Sequence, residues 1–257
     1  MFAKRSIAVI VPAFNEADKI VNTLRSIPDF VQHIIVVDDA SHDATVALAA
    51  SVQRAGLEVI VHDHNRGVGA ALVTGYRRAF AIGAEITAVM AGDSQMDPED
   101  LPALLSAVVA GADYAKGNRF AYATLSKPLW REMPPSRLFG NVALSIGTKL
   151  SSGLWHVFDS QCGYTAANRR AVEVILAEPM FPRYGYPNDV LVRLSMSSAC
   201  VVDVPVRPVY GPQWRSGIRP WRVVWPIFIL LLRGGLRRQW RRLVAIVNRS
   251  TTLISEQ

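Results

Sequence analysis

Short apolar runs alternate with longer stretches of helical character through the first 110 residues. The runs predict β-strands at Ser6–Pro12, His33–Asp38, Glu58–His62 and Ile86–Met90, and the stretches after them predict helices at about 16–26, 43–54, 67–82 and 98–110. Strands that are apolar throughout and separated by helices are typical of a parallel sheet covered on both faces. The sequence therefore predicts an α/β fold with a Rossmann-like, doubly wound and mainly parallel sheet.

Each predicted strand ends in polar residues, and doubly wound folds bind their ligands at the carboxyl ends of the strands. In chain order these residues are Asn15 and Glu16, then Asp38, Asp39 and Asp43, then Asn65 and Arg66, and last Asp93, Gln95 and Asp97. A single carboxylate at a strand end is often a helix N-cap, which stays an alternative for Asp43 and Asp97. Together the four ends predict one crevice that suits a nucleotide with its divalent metal ion.

The segment Gly67-Val68-Gly69 offers a competing interpretation, the glycine-rich phosphate loop of a dinucleotide-binding fold. Its third glycine is missing, and the segment follows the third predicted strand instead of the first. The dinucleotide fingerprint requires the first strand–helix turn, where a helix N-terminus meets the pyrophosphate. The sequence therefore disfavours a dinucleotide site.

Charge divides the chain into two regions. Residues 1–203 hold 18 basic and 20 acidic side chains, whereas residues 204–257 hold ten arginines and one acidic residue. Four of the six tryptophans also lie in this second region, at Trp214, Trp221, Trp225 and Trp240. We predict an α/β domain at 1–217 and a basic, membrane-associating segment at 218–257. The two cysteines cannot form a disulfide framework and no secretory signal is evident, so we expect a cytosolic setting.

The basic segment has the pattern of a membrane-surface helix. Its longest uncharged run, Val223–Leu232, would span about 15 Å as a helix, which is half of a hydrocarbon core of roughly 30 Å. After Gly234-Gly235, one predicted helix face carries Leu236, Trp240, Leu243 and Val247, and the other carries Arg237, Arg238, Arg241 and Arg242. This pattern predicts binding to anionic lipids. Two alternatives for this segment are a helix packed on the domain and a contact between two copies of the chain. The apolar run beside the arginines favours lipid over nucleic acid as the partner.

Six motifs in order resemble glycosyltransferase family 2, whose inverting members use nucleotide sugars and have the GT-A fold. They are Pro12-Ala13-Phe14-Asn15-Glu16, Val37-Asp38-Asp39, Gly92-Asp93-Ser94-Gln95, Gly117-Asn118-Arg119-Phe120, Asp159-Ser160-Gln161-Cys162-Gly163-Tyr164 and Val204-Pro205-Val206-Arg207. The match covers about residues 5–220 and is strongest with the branch that charges dolichyl or another polyprenyl phosphate with mannose or glucose. The Q-x-x-R-W signature of processive synthases is absent from the sequence, which argues against a polymerase.

The resemblance implies a donor site at the strand ends. In the family, the turn at 12–16 and the aspartates Asp38 and Asp39 hold the base and the ribose. The implied nucleotide-sugar site also includes Arg66, Gly67, Ala91, Gly92 and Arg207. Asp93 and Gln95 match positions that bind Mg²⁺ or Mn²⁺, but alanine stands at 91 where the family's D-x-D motif has its first aspartate.

The resemblance also implies an acceptor site. A lipid phosphate is already anionic near neutral pH, so it needs no general base. Arg119 and Arg137 are the residues expected to hold it, with Arg207, Arg215 and Arg219 as further candidates. Asp189 lies near the position of a catalytic base in many family members, and a helix N-cap is an equal alternative for it.

We therefore expect a peripheral enzyme at the cytoplasmic face of the membrane that moves one hexose from GDP-mannose or a UDP-hexose to a polyprenyl phosphate. The alternative is a catalytically weak or silent nucleotide-sugar-binding scaffold at the membrane, which Ala91 motivates. Either protein could form a homo-oligomer. The sequence does not distinguish among donor bases or sugars.

Overall fold

A seven-stranded sheet lies at the centre of the structure, a computed structural model that describes residues 2, 5–121, 135–207, 209 and 225–240. The strands are β1 Ile7–Ala13, β2 His33–Asp38, β3 Leu57–Val61, β4 Ile86–Val89, β5 Tyr114–Asn118, β6 Thr165–Asn168 and β7 Val201–Pro205. The helices are α1 Ile20–Ser26, α2 Thr45–Ser51, α3 Val68–Ala81, α4 Leu101–Val109, α5 Pro135–Ser152, α6 Arg169–Leu176, α7 Tyr186–Met196 and α8 at 225–240, and a 3₁₀ helix at Pro98–Asp100 precedes α4.

The sheet has the order β3-β2-β1-β4-β6-β5-β7. All neighbouring strands pair in parallel except β6, which is antiparallel to both β4 and β5. The predicted doubly wound, mainly parallel sheet is confirmed. Because β6 runs the opposite way, the segment that precedes it lies at the same edge as the carboxyl ends of the parallel strands.

Both faces of the sheet are covered. Along β1, Ile7, Val9 and Val11 pack in a cluster with α1 and α4, whereas Ala8 and Ile10 pack in a second cluster with α3, α6 and α7. All seven residues of β1 are buried. Burying a large aliphatic side chain stabilises a fold by roughly 1.5–3 kcal/mol, so these two layers hold the sheet edge that carries the site.

The first four α-helices begin one to four residues later than predicted, at Ile20, Thr45, Val68 and Leu101. Polar residues before two of them hold the chain in capping turns. The Asp43 carboxylate accepts the Thr45 N–H at 3.0 Å, and the Asp97 carboxylate caps the 3₁₀ helix by accepting the Glu99 N–H at 2.9 Å. The capping alternative is therefore confirmed for Asp97. It is wrong for Asp43, because Ala44 occupies the N-cap position of α2 and Asp43 holds the turn just before it.

Helix α8 is continuous from 225 to 240 and runs through Gly234-Gly235. Pro226 lies in the first turn, where its missing N–H would have no intrahelical partner. Gly234 is a contact residue: a Cβ there would lie 2.8 Å from Val192 Cγ1 of α7 and 3.0 Å from Ser151 Oγ of α5. The glycine therefore permits close helix packing. Leu243, Val247, Arg241 and Arg242 lie outside the described residues.

Helices α5 and α8 lie side by side, and each exposes an apolar face. The exposed residues are Phe139, Val142, Ile146 and Leu150 on α5, and Trp225, Phe228, Leu232, Leu236 and Trp240 on α8. Ser151 Oγ joins the two helices by donating to the Leu231 carbonyl at 2.7 Å. In the described part of the chain, no helix combines the length and the hydropathy needed to span a bilayer. The predicted boundary at 217 lies outside the described residues.

We predict that Gly75 is required for the contact between α3 and β1. A Cβ at Gly75 would lie 2.4 Å from Ile10 Cγ2, so Gly75→Ala should lower the free energy of unfolding by about 1–3 kcal/mol. Gly140→Ala on α5 is the matched control, because a Cβ there meets no atom within 4 Å and should be neutral or stabilising by up to about 1 kcal/mol. Urea titrations of both variants measure this difference; equal effects would contradict the packing.

Candidate functional site

The turns that follow β1 and β2 are joined by hydrogen bonds. The Asn15 N–H donates to Ser41 Oγ at 2.8 Å, and Asn15 Oδ1 accepts the His42 N–H at 2.9 Å. Asn15 has a φ of 55°, in the left-handed region that asparagine tolerates better than most residues. Phe14 is exposed beside this junction, with its ring edge-on to His42 at a centroid distance of 6.3 Å. The two turns are therefore held together at the edge of the sheet where the sequence predicts the crevice.

Asp38 and Asp39 are both buried and hold backbone. Asp38 Oδ2 accepts the Ser41 N–H at 2.8 Å. Asp39 Oδ1 accepts the Arg66 N–H at 2.9 Å and lies 2.8 Å from His62 Nδ1, and its Oδ2 accepts the Gly67 N–H at 2.7 Å. Asp39 thus fixes the β3–α3 loop to the end of β2. The side chain of Arg66 in this loop is exposed to solvent.

The glycine-rich turn at the start of α3 contacts protein. The N–H groups of Gly69 and Ala70 donate to the Pro182 carbonyl at 2.8 and 3.3 Å. A Cβ at Gly69 would lie 2.2 Å from the Phe181 carbonyl oxygen, so this glycine admits the loop between α6 and α7. Because that loop occupies the helix N-terminus, the structure excludes the dinucleotide interpretation.

The loop after β4 is held against β1 and α1. The Gly92 N–H donates to the Pro12 carbonyl at 3.1 Å, and Thr23 Oγ1 donates to the Gly92 carbonyl at 3.2 Å. The Asp93 carboxylate accepts the Gln95 N–H at 3.1 Å. The loop thus places Asp93 close to Glu16 of the first turn, and Gln95 follows two residues later in the same loop.

Three titratable side chains from three segments interact in this part of the crevice. Burial, and then the charge of Asp93, raise the pKa of Glu16 above its usual value. Burial also raises the pKa of Tyr184, with further contributions from Asp93 and Glu16. Tyr184 was missed by the sequence analysis, because a tyrosine in a loop carries no local signal. It lies in the loop that Pro182 fastens to α3.

This donor set fits a divalent cation. Asp93, Gln95 and Glu16 offer carboxylate and amide oxygens, which Mg²⁺ and Mn²⁺ prefer, and a cation would relieve the repulsion between the two carboxylates. Among the described residues, no three His, Cys, Asp or Glu side chains form a group that could hold a metal ion. Further oxygens would therefore have to come from a bound diphosphate or from water.

A buried ion pair lies at the end of β5. Arg119 Nε and Nη2 donate to the Asp159 carboxylate at 2.6 and 3.0 Å, in bidentate geometry. Burial alone would raise the pKa of Asp159, but Arg119 and Lys116 outweigh it and hold that pKa below its usual value. Arg119, which is predicted to hold the acceptor phosphate, thus follows β5 and binds Asp159 in this structure.

The Asp159 loop is also joined to α5 and α7. Asn188 of α7 is fully buried, and its Oδ1 accepts from Gln161 Nε2 at 2.8 Å and from Thr148 Oγ1 of α5 at 2.7 Å. The helix with the exposed apolar face is therefore connected to the loop that holds Arg119.

The other predicted charged residues have different places. Arg207 pairs with Asp97, Glu99 and Asp100 at 3.3, 2.9 and 3.1 Å, so it joins the end of β7 to the loop after β4. Arg137 belongs to the first turn of α5, but its side chain lies outside the described part of the structure, as do Arg215 and Arg219.

Asp189 is neither at a helix N-cap nor free. Gly185 occupies the N-cap position of α7, which corrects the capping alternative. Asp189 Oδ2 instead accepts the Phe181 N–H at 2.8 Å and pairs with Arg193 at 2.9 Å. These contacts fasten the loop that carries Tyr184.

Comparison with known proteins identifies the family. The model of Glycosyl transferase family 2 matches residues 8–176. The chain is 27% identical over 224 residues to the UDP-N-acetylglucosamine–dolichyl-phosphate N-acetylglucosaminyltransferase of Methanococcus voltae, covering 81% of this chain and 87% of that protein. It is 31% identical over 209 residues to the polyprenol monophosphomannose synthase of Mycolicibacterium smegmatis, covering 77% and 75%.

The fold also matches a solved structure. The glucosyl-3-phosphoglycerate synthase of Mycobacterium tuberculosis, crystallised with Mg²⁺ and uridine diphosphate, superposes with a TM-score of 0.66 at 22% identity, covering 92% of this chain and 80% of that one. The resemblance carried by the six motifs is thereby confirmed. The chain belongs to glycosyltransferase family 2 and is a glycosyltransferase with the GT-A fold.

Proposed function

We propose that this enzyme moves one hexose from a nucleotide diphosphate sugar, GDP-mannose or a UDP-hexose, to a polyprenyl phosphate with inversion at the anomeric carbon. The observation that carries the proposal is the junction of the polar crevice with the apolar face of α8. A Cβ at Gly185, next to Tyr184, would lie 3.2 Å from Ile227 Cγ1, and the exposed face begins two residues earlier at Trp225. Such a junction suits a substrate with an anionic head and a long hydrocarbon tail.

The relatives support this acceptor class. The proteins from M. voltae and M. smegmatis are a dolichyl-phosphate N-acetylglucosaminyltransferase and a polyprenol monophosphomannose synthase. Their sugars differ while their acceptors are both lipid phosphates. The acceptor class is therefore the better supported half of the proposal, and the donor sugar is the half that experiment must assign.

On the donor side, we assign direct contacts to the exposed rim and indirect roles to the buried carboxylates. Phe14 and Arg66 are exposed beside the crevice and are proposed to contact the base and the diphosphate. Asp38 and Asp39 are buried and bonded to backbone, so they position the turn at 12–16 and the loop at Arg66 and Gly67.

We propose that Asp93 and Gln95 hold Mg²⁺ or Mn²⁺ together with the donor diphosphate. When bound, the cation supplies Lewis-acid stabilisation of the diphosphate leaving group. Ala91 cannot supply the carboxylate that the family has at that position, and Glu16 provides a second negative charge close to Asp93. The chain thereby keeps two carboxylates in this part of the crevice.

On the acceptor side, the chemistry needs orientation more than proton removal. An oxygen of the lipid phosphate attacks the anomeric carbon, the bond from that carbon to the diphosphate breaks, and the nucleoside diphosphate leaves with the electron pair. The phosphate is anionic near neutral pH, since a phosphate monoester has a second pKa of roughly 6. We assign Arg119 to hold it in line and give Asp189 a positioning role, because its carboxylate fastens the Tyr184 loop.

We propose that the apolar faces of α5 and α8 lie on the cytoplasmic leaflet. Trp225 and Trp240 stand at the two ends of the α8 face, and Arg233 is exposed beside it. Leu231 does not belong to this exposed face, because it lies towards Gly147 of α5. Arg237 is exposed but pairs with Glu178 at 3.3 Å, so its contribution to lipid binding competes with that pair.

The first test is transfer of labelled hexose to polyprenyl phosphate with Mg²⁺ or Mn²⁺ present. We expect lipid-extractable label from the unsubstituted chain, loss of transfer with a chelator, and about 100-fold slower transfer by Asp93→Asn, equivalent to about 2.7 kcal/mol. Among the described residues, no three carboxylate, His or Cys side chains come together to hold a metal ion, so the diphosphate has to supply further ligands. We therefore also expect calorimetry to show tighter Mn²⁺ binding when nucleoside diphosphate is present.

Ala91→Asp is the matched variant for this test, because it restores the family's missing carboxylate. It should tighten metal binding while the unsubstituted chain already turns over. The scaffold alternative predicts the opposite: donor binding without metal and no turnover by the unsubstituted chain, with turnover gained by Ala91→Asp.

The second test is flotation with anionic vesicles. Ile146→Glu on α5 and Phe228→Glu on α8 should each weaken vesicle binding about tenfold or more, because each removes an apolar side chain and adds repulsion. Val61→Glu is the matched control, since Val61 is an exposed apolar residue on β3, away from both helices. High salt should release the protein only in part. Equal loss in the control, or a change of oligomeric state instead of vesicle binding, would contradict membrane docking.

A further inference from the structure

Lys116 is a charged residue in the interior of the sheet. It lies in β5, between β6 and β7, and is fully buried. Its ammonium group donates a hydrogen bond to the Cys162 carbonyl. The Cys162 N–H in turn donates to the Asp159 carbonyl at 3.4 Å, so the ammonium lies against the turn that begins at Asp159.

Asp159 thus has one cation bound directly, Arg119, and a second, Lys116, held at the turn that it begins. Arg119 binds Asp159 through two nitrogens, and Lys116 also lowers the pKa of Asp159. A second acidic residue, Asp203, lies opposite Lys116 in the register of β5 and β7. Its Oδ2 accepts from the Phe158 N–H and from Asn118 Nδ2, both at 2.8 Å. Burial lowers the pKa of Lys116 and raises the pKa of the Cys162 thiol.

This arrangement bears on how Arg119 could bind an acceptor. Under the proposed function, a lipid phosphate competes with Asp159 for the guanidinium, because both are anions that take the same planar set of donors. If Arg119 turned to the phosphate alone, Asp159 would be left as an uncompensated buried charge, which is strongly unfavourable. A second cation at the same turn, Lys116, reduces that penalty.

We propose that Lys116 is a positioning residue that compensates Asp159 while Arg119 engages the acceptor phosphate. The inference rests on the proposed function and concerns only its acceptor half. Lys116 does not touch the substrate; it acts through Asp159 and Arg119. A purely structural lysine would instead affect folding, donor binding and acceptor binding together.

The test is a double-substitution cycle with Lys116→Met and Asp159→Asn in the full chain. We measure KM for polyprenyl phosphate, kcat, nucleoside diphosphate affinity by calorimetry, and thermal unfolding. Lys116→Met should raise the acceptor KM about tenfold and leave nucleotide affinity within about twofold, a size typical of residues that interact directly. In the double variant that also carries Asp159→Asn, the acceptor KM should fall back close to that of the unsubstituted chain. The neutral asparagine no longer holds Arg119 by charge.

Two controls keep the result interpretable. Arg78→Met removes one positive charge at an exposed pair with Glu58, away from the crevice, and should change no kinetic constant. Lys116→Gln serves if the methionine variant does not fold, since it keeps a hydrogen-bond donor and loses the charge.

The proposal is overturned if charge removal at Lys116 leaves the acceptor KM unchanged, if nucleotide affinity falls by the same factor, or if Asp159→Asn gives no rescue. Absence of lipid transfer by the unsubstituted chain is a different result and counts against the proposed function itself.

Discussion

A buried carboxylate needs a cation, and in this fold Arg119 meets that need for Asp159 at the edge of the sheet where we propose that the acceptor binds. Asp159 is fully buried in the segment before β6, and Arg119 reaches it from the end of β5. The same loop is joined to α5 and α7 through Gln161, Asn188 and Thr148. An arginine suited to an anionic substrate is thereby held in fixed relation to the helices that expose apolar faces.

In the part of the crevice that we propose for the donor, side chains bind the backbone of neighbouring turns and leave the exposed rim to the ligand. Asp39 ties the β3–α3 loop to β2, and Asn15 ties the first two turns together. The Pro182 carbonyl occupies the N-terminus of α3, so the helix end that a dinucleotide would need is already used. Rigid turns of this kind suit a site that must orient two substrates for direct displacement.

The sequence predicts what depends on local pattern and misses what depends on contacts between distant segments. The strands predicted at 6–12, 33–38, 58–62 and 86–90 are apolar runs that the sequence shows directly. The meeting of their polar ends at one edge of the sheet follows from the parallel topology. Strand β6 is only four residues long and antiparallel, so it carries no periodic signal. The commitment of Arg207 to three carboxylates depends on packing between β7 and the loop after β4. The apolar face of α5 is visible only once the exposed side of that helix is known.

The central claim is direct displacement by a lipid phosphate, and the configuration of the product tests it most directly. Nuclear magnetic resonance of the lipid-extracted product, formed from an α-linked nucleotide sugar and polyprenyl phosphate, reports the anomeric linkage. Direct displacement predicts a β-linked sugar phosphate on the lipid. An α-linked product, or hexose released into water with no sugar on the lipid, would contradict it.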